Sequence, residues 1–298
     1  MQRMRRAWLA PVLACAAMLA ACAPAAPPIV EGQARPAVWE ARLGETRLIL
    51  FGSIHQLPAE LDWFDSVLAR EVASADRLYL EIAPEEAAGA PALFDAIADD
   101  EPVAPLDRRI GLTATDRALS LLPGIDEAAI DGTESWALAL MIGNAIAANN
   151  GLSGDAGVES RLTTAFERSG KPVTGLETAR DQLSLFDTLD PAVQDAMLVR
   201  AINRSEGARE RTRDLIRAWA RGDVAAIGVA AASELSEFPA LETGLINGRN
   251  RVWADQLAAQ AQTISGTAIV AVGAGHLAGD GSLDRLLAER GFTVRRIQ

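Results

Sequence analysis

The stretch LILFGSIHQLP (residues 48–58) decides how the chain is read. The apolar run Leu48-Ile49-Leu50-Phe51 climbs to Gly52, and His55 follows three residues later. The chain has only two histidines. The second, His276, sits in TAIVAVGAGHLAGDG (residues 267–281), where another apolar run reaches Gly273 and again delivers a histidine at the third position. Glycine makes up 24 of 298 residues, so this coincidence at both histidines has odds by chance below about one in a hundred.

Working outward, VWEARLGETRLILFG (residues 38–52) alternates and turns at Gly44-Glu45, as a hairpin leading into the first histidine strand does. LDWFDSVLAREVASA (residues 61–75) carries Trp63, Val67, Leu68 and Val72 at helical spacing. RLYLEIAP is a strand stopped by Pro84, with a helix over 85–98; the segment 113–170 reads as helices, and PVTGLE (residues 172–177) as a short strand. From Ala179 to about Ala261 the chain is helical in several pieces. TAIVAVG, SLDRLLAERG and FTVRRIQ then close it as strand, helix and strand. Strands separated by helices predict an α/β fold with a mostly parallel sheet covered by helices. Two halves of similar design are visible, each carrying one strand-GxxH motif and one strand that ends in glutamate.

In open α/β sheets ligands gather outside the carboxyl ends of the strands. His55 and His276 both lie just past such ends and can face one crevice if their strands are neighbours. Glycine at the third position before each lets the backbone turn where a side chain would collide. Glu81 ends RLYLE and Glu177 ends PVTGLE, so the carboxylates hold equivalent places. Two imidazoles and one or two carboxylates suit a divalent ion with open positions for water, which is hydrolytic chemistry. Glu177 also reads as the residue before a helix capped by Thr178.

The ends and the charge bound the setting. Arg3, Arg5 and Arg6 precede an apolar stretch from Ala7 to Ala21, shorter than the roughly 20 residues a membrane span needs. It ends in Leu19-Ala20-Ala21-Cys22, which resembles a bacterial lipobox. Residues 1–21 are expected to be a signal peptide and Cys22 a lipidated cysteine. Ala23 after it implies the outer membrane, with the rest of the chain facing the periplasm. Residues 22–36 read as an Ala/Pro-rich tether, and 37–298 as the α/β domain. Both cysteines, Cys15 and Cys22, fall in the targeting segment ahead of the domain, leaving no disulfide or thiolate ligand for it. Without the three leader arginines, 28 − 3 = 25 basic residues face 40 acidic ones, a net charge of −15, and Lys171 is the only lysine. Nucleic acid is therefore not an expected partner.

LFGSIHQLP, LYLEIAP, GKPVTGLETARDQLSLF, GRNRVWADQL and VAVGAGHLAGDGSLDRLLAERGFTVRRI together resemble the TraB/GumN family, in order and over Val38 to Ile297. That family includes animal proteases that clip Wnt proteins. The resemblance implies a metal-dependent peptidase in which His55 and His276 are ligands and Glu81 is a ligand or general base. It matches Arg249 and Asn250 to an Arg-Asn pair that could hold a substrate carbonyl or carboxylate. GDAGVESRL (residues 154–162) departs from the family pattern of Gly-Val-Asp, with Glu159 in the acidic place. Either that acid contacts substrate or it caps a helix. Trp136 matches a family tryptophan and reads as core.

The expectation is a lipid-anchored metal-dependent hydrolase of peptides or proteins. Its ion (Mn, Co or Zn) would be held by His55, His276 and Glu81, with Glu81 or Glu177 accepting a proton from water. The rival expectation is a protein that uses the same crevice to hold metal, haem or a peptide without turnover.

Overall fold

The structure is a computed structural model that describes residues 33–99, 102–263 and 265–298. Residues 1–32, which include the expected signal peptide, Cys22 and most of the expected tether, lie outside the described residues. No described helix is long and apolar enough to cross a membrane.

One mixed sheet organises the chain. Its strands are β1 (Val38–Leu43), β2 (Thr46–Ser53), β3 (Arg77–Ile82), β4 (Val173–Glu177), β5 (Gly266–Gly273) and β6 (Thr293–Arg296). They lie in the order β4-β3-β5-β2-β1-β6. The β4-β3-β5-β2 block is parallel, while β1 runs antiparallel to both β2 and β6. The expected hairpin joins β1 to β2, with Gly44 at φ 56° where other residues are strained. The two GxxH strands, β2 and β5, are side by side, with Ser53 opposite Gly273. The two glutamate strands, β3 and β4, are neighbours on the far side of β5. All four carboxyl ends therefore point to one edge.

The alternation of each strand decides what covers it. Ile49 and Phe51 of β2, with Leu78, Leu80, Ile269 and Ala271, pack under the helices Ser66–Ser74, Val158–Arg168 and Ala208–Ala220. Leu48 and Leu50, with Tyr79, Val270 and Val272, pack under Arg249–Ala261 and Leu283–Glu289. A separate helical core around Leu106, Leu138, Ile142, Leu198 and Ile202 takes no side chain from the sheet. Trp136 is fully buried, as expected, and donates to Glu134 Oε2 at 3.1 Å.

Trp63 lies outside the helix its spacing suggested. Asp65 caps that helix by accepting from the backbone N–H groups of Val67 and Leu68, so it starts at Ser66. Trp63 is instead the floor of an aromatic cluster, stacked on Phe51 at 5.7 Å and edge-on to Trp219 at 6.1 Å. Trp219 Nε1 donates to Gly52 O at 2.7 Å. The first GxxH glycine thus hangs from an indole by its carbonyl.

Candidate functional site

The glycines of the two motifs serve close approach rather than an unusual turn; neither has a positive φ. A Cβ on Gly52 would sit 3.0 Å from Ala274 Cα, and one on Gly273 would sit 3.2 Å from Glu81 Oε1. Their absence lets the second histidine turn settle over β2 and lets Glu81 reach β5. Gly273 N donates to Glu81 Oε1 at 2.6 Å.

His276 is buried in the centre. Its Nδ1 lies 2.7 Å from Asn250 Oδ1, while Asn250 Nδ2 donates to Gly281 O at 2.7 Å and His276 O at 3.2 Å. The amide's orientation is thereby set, so Nδ1 carries the hydrogen and Nε2 keeps its lone pair. That lone pair faces Arg249 Nη1 at 3.2 Å and lies 3.7 Å from Glu81 Oε1. Trp253 packs on the ring at 4.6 Å and also on the guanidinium of Arg249 at 4.5 Å. Burial, reinforced by the charge of Arg249 and only partly opposed by Glu81, pushes the His276 pKa down to about 4. The ring is neutral at physiological pH.

Arg249 ties the site together. Nη2 donates to Glu81 Oε2 at 2.5 Å and to Glu177 Oε1 at 2.6 Å; Nε donates to Glu177 Oε2 at 2.9 Å; Nη1 donates to Leu245 O at 2.9 Å and faces His276. A guanidinium has five N–H groups, and each has an acceptor inside the protein. Gln182 Nε2 bridges the same carboxylates, 3.2 Å from Glu81 and 2.9 Å from Glu177. Burial works against ionisation of Glu81, but the adjacent His276 imidazole, the charges of Arg249 and His55 and the Gly273 N–H outweigh it and hold its pKa at about 2. Glu177 moves the other way, its pKa raised by burial that Arg249 does not fully offset. Thr178 caps the following helix in a reciprocal capping box with Asp181, so Glu177 ends a strand, precedes a cap and binds Arg249 at once.

His55 stands apart. Its side chain is 69 % exposed against 5 % for His276. Its Nδ1 lies 2.7 Å from Glu159 Oε1, and the attraction of that carboxylate raises its pKa to about 9. Glu159 does not cap its helix; the cap position is Gly157. No hydrogen bond or ion pair joins His55 to the Glu81–Arg249–His276 cluster, although its charge is felt by Glu81 and His276.

A family model described as TraB/PrgY/gumN family matches residues 37–296. The chain belongs to that family. It is similar to the uncharacterized protein YbaP of Escherichia coli (strain K12), 25% identical over 252 residues, covering 82% of this chain and 89% of the relative. It is equally similar to the uncharacterized protein YbaP of Shigella flexneri, 25% identical over 246 residues and covering 80% and 86%. No solved structure matches the chain.

Among the site residues expected from sequence, His276, Glu81, Glu177, Arg249 and Asn250 meet in one cluster of direct contacts. Asn250 is fully buried and engaged with His276 and Gly281. Together with the saturated guanidinium, this leaves neither side chain a free donor for a substrate carbonyl in this arrangement. Among the described residues, no three His, Cys, Asp or Glu side chains are gathered closely enough to hold a metal ion. The donor chemistry nevertheless fits one. His276 is neutral, its Nε2 free of hydrogen and turned to Arg249, Glu81 is ionised, and a second imidazole stands past the end of the adjacent strand. Arg249 occupies the space among them and supplies the positive charge the carboxylates require. Trp253 and Gln182 were not anticipated. Trp253 shares a helix face with Arg249 at i, i+4, which is the one signal the sequence carried for it.

Proposed function

We propose that the chain is a metal-dependent hydrolase of peptides or proteins, with a lipid on Cys22 holding it at the outer membrane and its domain in the periplasm. One observation carries the hydrolase reading: His276 is buried, neutral and locked by Asn250 with Nε2 turned toward an ionised Glu81. A divalent ion of the Mn, Co or Zn type, when bound, would supply Lewis acidity that polarises a carbonyl and acidifies water. His55, His276 and Glu81 would hold it. Of the two carboxylates, Glu177 is better suited to take a proton, because its pKa is raised whereas that of Glu81 lies near 2. Asn250 and Trp253 keep the His276 ring in one orientation, and Arg249 keeps the carboxylates apart and charged.

The membrane part of the reading is supported by the leader sequence, Leu19-Ala20-Ala21-Cys22 after three arginines. A second reading, a protein that holds metal, haem or a peptide without turnover, draws on Arg249, whose five donors already close the cluster. Metal content of the purified chain, combined with cleavage of a broad peptide library with Mn²⁺, Co²⁺ or Zn²⁺ and a chelator control, separates the two. Cleavage lost to chelator supports the hydrolase; a bound ligand without cleavage under any ion supports the binder.

A further inference from the structure

The loop that carries His55 is fastened to the segment that carries Glu159 by main-chain contacts on both sides. Val158 N donates to Ile54 O at 3.2 Å. Two residues beyond His55, Leu57 and Ser153 exchange backbone hydrogen bonds at 3.1 and 3.0 Å, an isolated antiparallel bridge. Between these fasteners Gly157 lies so close that a Cβ there would be 2.1 Å from His55 O and 2.8 Å from His55 C. No side chain fits. On the other flank, Trp219 holds Gly52 by its carbonyl. The His55 backbone is therefore clamped, and the first turn of the helix Val158–Arg168 is clamped to it.

This clamp sets Glu159 against the imidazole. Its carboxylate is buried, while the ring it meets is exposed on its other edge. A buried charge is costly unless paired, and the groups that face this one are the His55 ring and the Ser53 hydroxyl. Asn250 contacts Nδ1 of His276 at the same 2.7 Å. In both motifs an oxygen from a distant helix stands 2.7 Å from Nδ1, as a hydrogen-bond partner at Asn250 and as an ion-pair partner at Glu159. An imidazole whose Nδ1 hydrogen is engaged can ligate only through Nε2.

We propose that Glu159 is a positioning residue for His55: it accepts the Nδ1 hydrogen and so presents Nε2 to the crevice, as Asn250 does for His276. The contact stands independently of any ion; its value for ion binding rests on the metal-dependent reading above.

The test uses the fact that the chain has two histidines. With ¹⁵N-histidine in the full-length protein, freed of metal, long-range ¹H–¹⁵N correlation at about pH 10, above the ionisation of both rings, reports which nitrogen holds the hydrogen. Wild type is expected to show Nδ1–H at both. Glu159→Ala should move His55 to Nε2–H and leave the His276 signals in place, which also verifies that the variant is folded. Glu159→Gln, whose carbonyl accepts the same hydrogen, should retain Nδ1–H. Calorimetry with Mn²⁺ or Zn²⁺ alone should then show affinity reduced by about 10- to 100-fold in Glu159→Ala and by less in Glu159→Gln. If His55 of the wild type holds its hydrogen on Nε2, or if Glu159→Ala leaves the tautomer unchanged, the proposal is overturned. If the tautomer switches while the wild type binds no ion, Glu159 stands as the positioning residue and the metal reading alone falls.

Discussion

The two GxxH turns share a pattern and differ in nearly every physical property. The His276 turn is sealed between Trp253, Asn250 and Arg249, and its ring is neutral. The His55 turn is open to solvent and leans on a carboxylate, so its ring is charged. An amide orients a buried imidazole without demanding a proton; a carboxylate orients an exposed one and draws the proton in. The same sequence motif thus yields a fixed neutral donor on one strand and a titratable, accessible one on its neighbour.

The largest expected effect falls on the carboxylate that serves the sealed side. Glu81→Gln removes the charge while keeping the size, and on the hydrolase reading the loss of this ion ligand should lower turnover by more than about 100-fold, beyond what groups that only support a ligand cost, in the peptide-cleavage assay. Equal cleavage by wild type and variant would show that the sealed turn does not carry the chemistry. Next comes Arg249→Met, which leaves Glu81 and Glu177 buried without their cation. Chemical denaturation should show about 3–5 kcal/mol lost, as when one partner of a buried pair is removed. A loss under about 1 kcal/mol would mean that the cluster is solvated.

A direct contrast follows from replacing each histidine by alanine. His276→Ala strands Asn250 Oδ1 in a buried site and should cost about 1–3 kcal/mol, whereas His55→Ala made together with Glu159→Ala, so that no buried carboxylate is left unpaired, should cost less than about 1 kcal/mol because the ring is exposed. Reversed magnitudes would invert the comparison.

The pH dependence gives the clearest sign. His276 has a folded pKa near 4, below the ordinary 6.5. The unfolded chain therefore takes up a proton first, and stability should fall as pH drops from about 6.5 toward 4. Glu81, lowered to about 2, adds a further loss as pH falls from about 4.5 toward 2. His55, raised to about 9, contributes in the opposite sense: its share is present below about 6.5 and lost as pH rises through 9. Its exposure keeps that share small. Denaturation midpoints measured from pH 3 to 10 should thus fall more steeply on the acid side, and His276→Ala should remove the loss between 6.5 and 4.

The strands and the crevice edge were legible because apolar runs ending in glycine, or in glutamate before Pro84 or Thr178, mark where parallel strands stop. The partners of the histidines were not. Asn250 and Glu159 lie on helices far away in sequence, where a polar residue has the same pattern whether it faces water or an imidazole. Glu159 looked like a departure from the family motif, and only the approach of Gly157 to the His55 carbonyl shows what it meets. The family resemblance alone makes Arg249 a contact for substrate. Nothing in GRNRVWADQL reveals that two strand-end carboxylates and a histidine converge on it.

The hairpin at the start of the domain has one more consequence. Because β1 runs against β2, Val38 sits level with Phe51, at the crevice edge of the sheet. The far end of the chain returns to the same spot: Ile297 N donates to Val38 O at 2.8 Å, and Gln298 Nε2 donates to Pro36 O at 3.0 Å. Pro36 and Gln298 thus meet at the edge of the sheet where β2 ends and the His55 turn begins, so on the proposed reading a surface, carrier or fusion partner joined there would narrow the approach to the crevice.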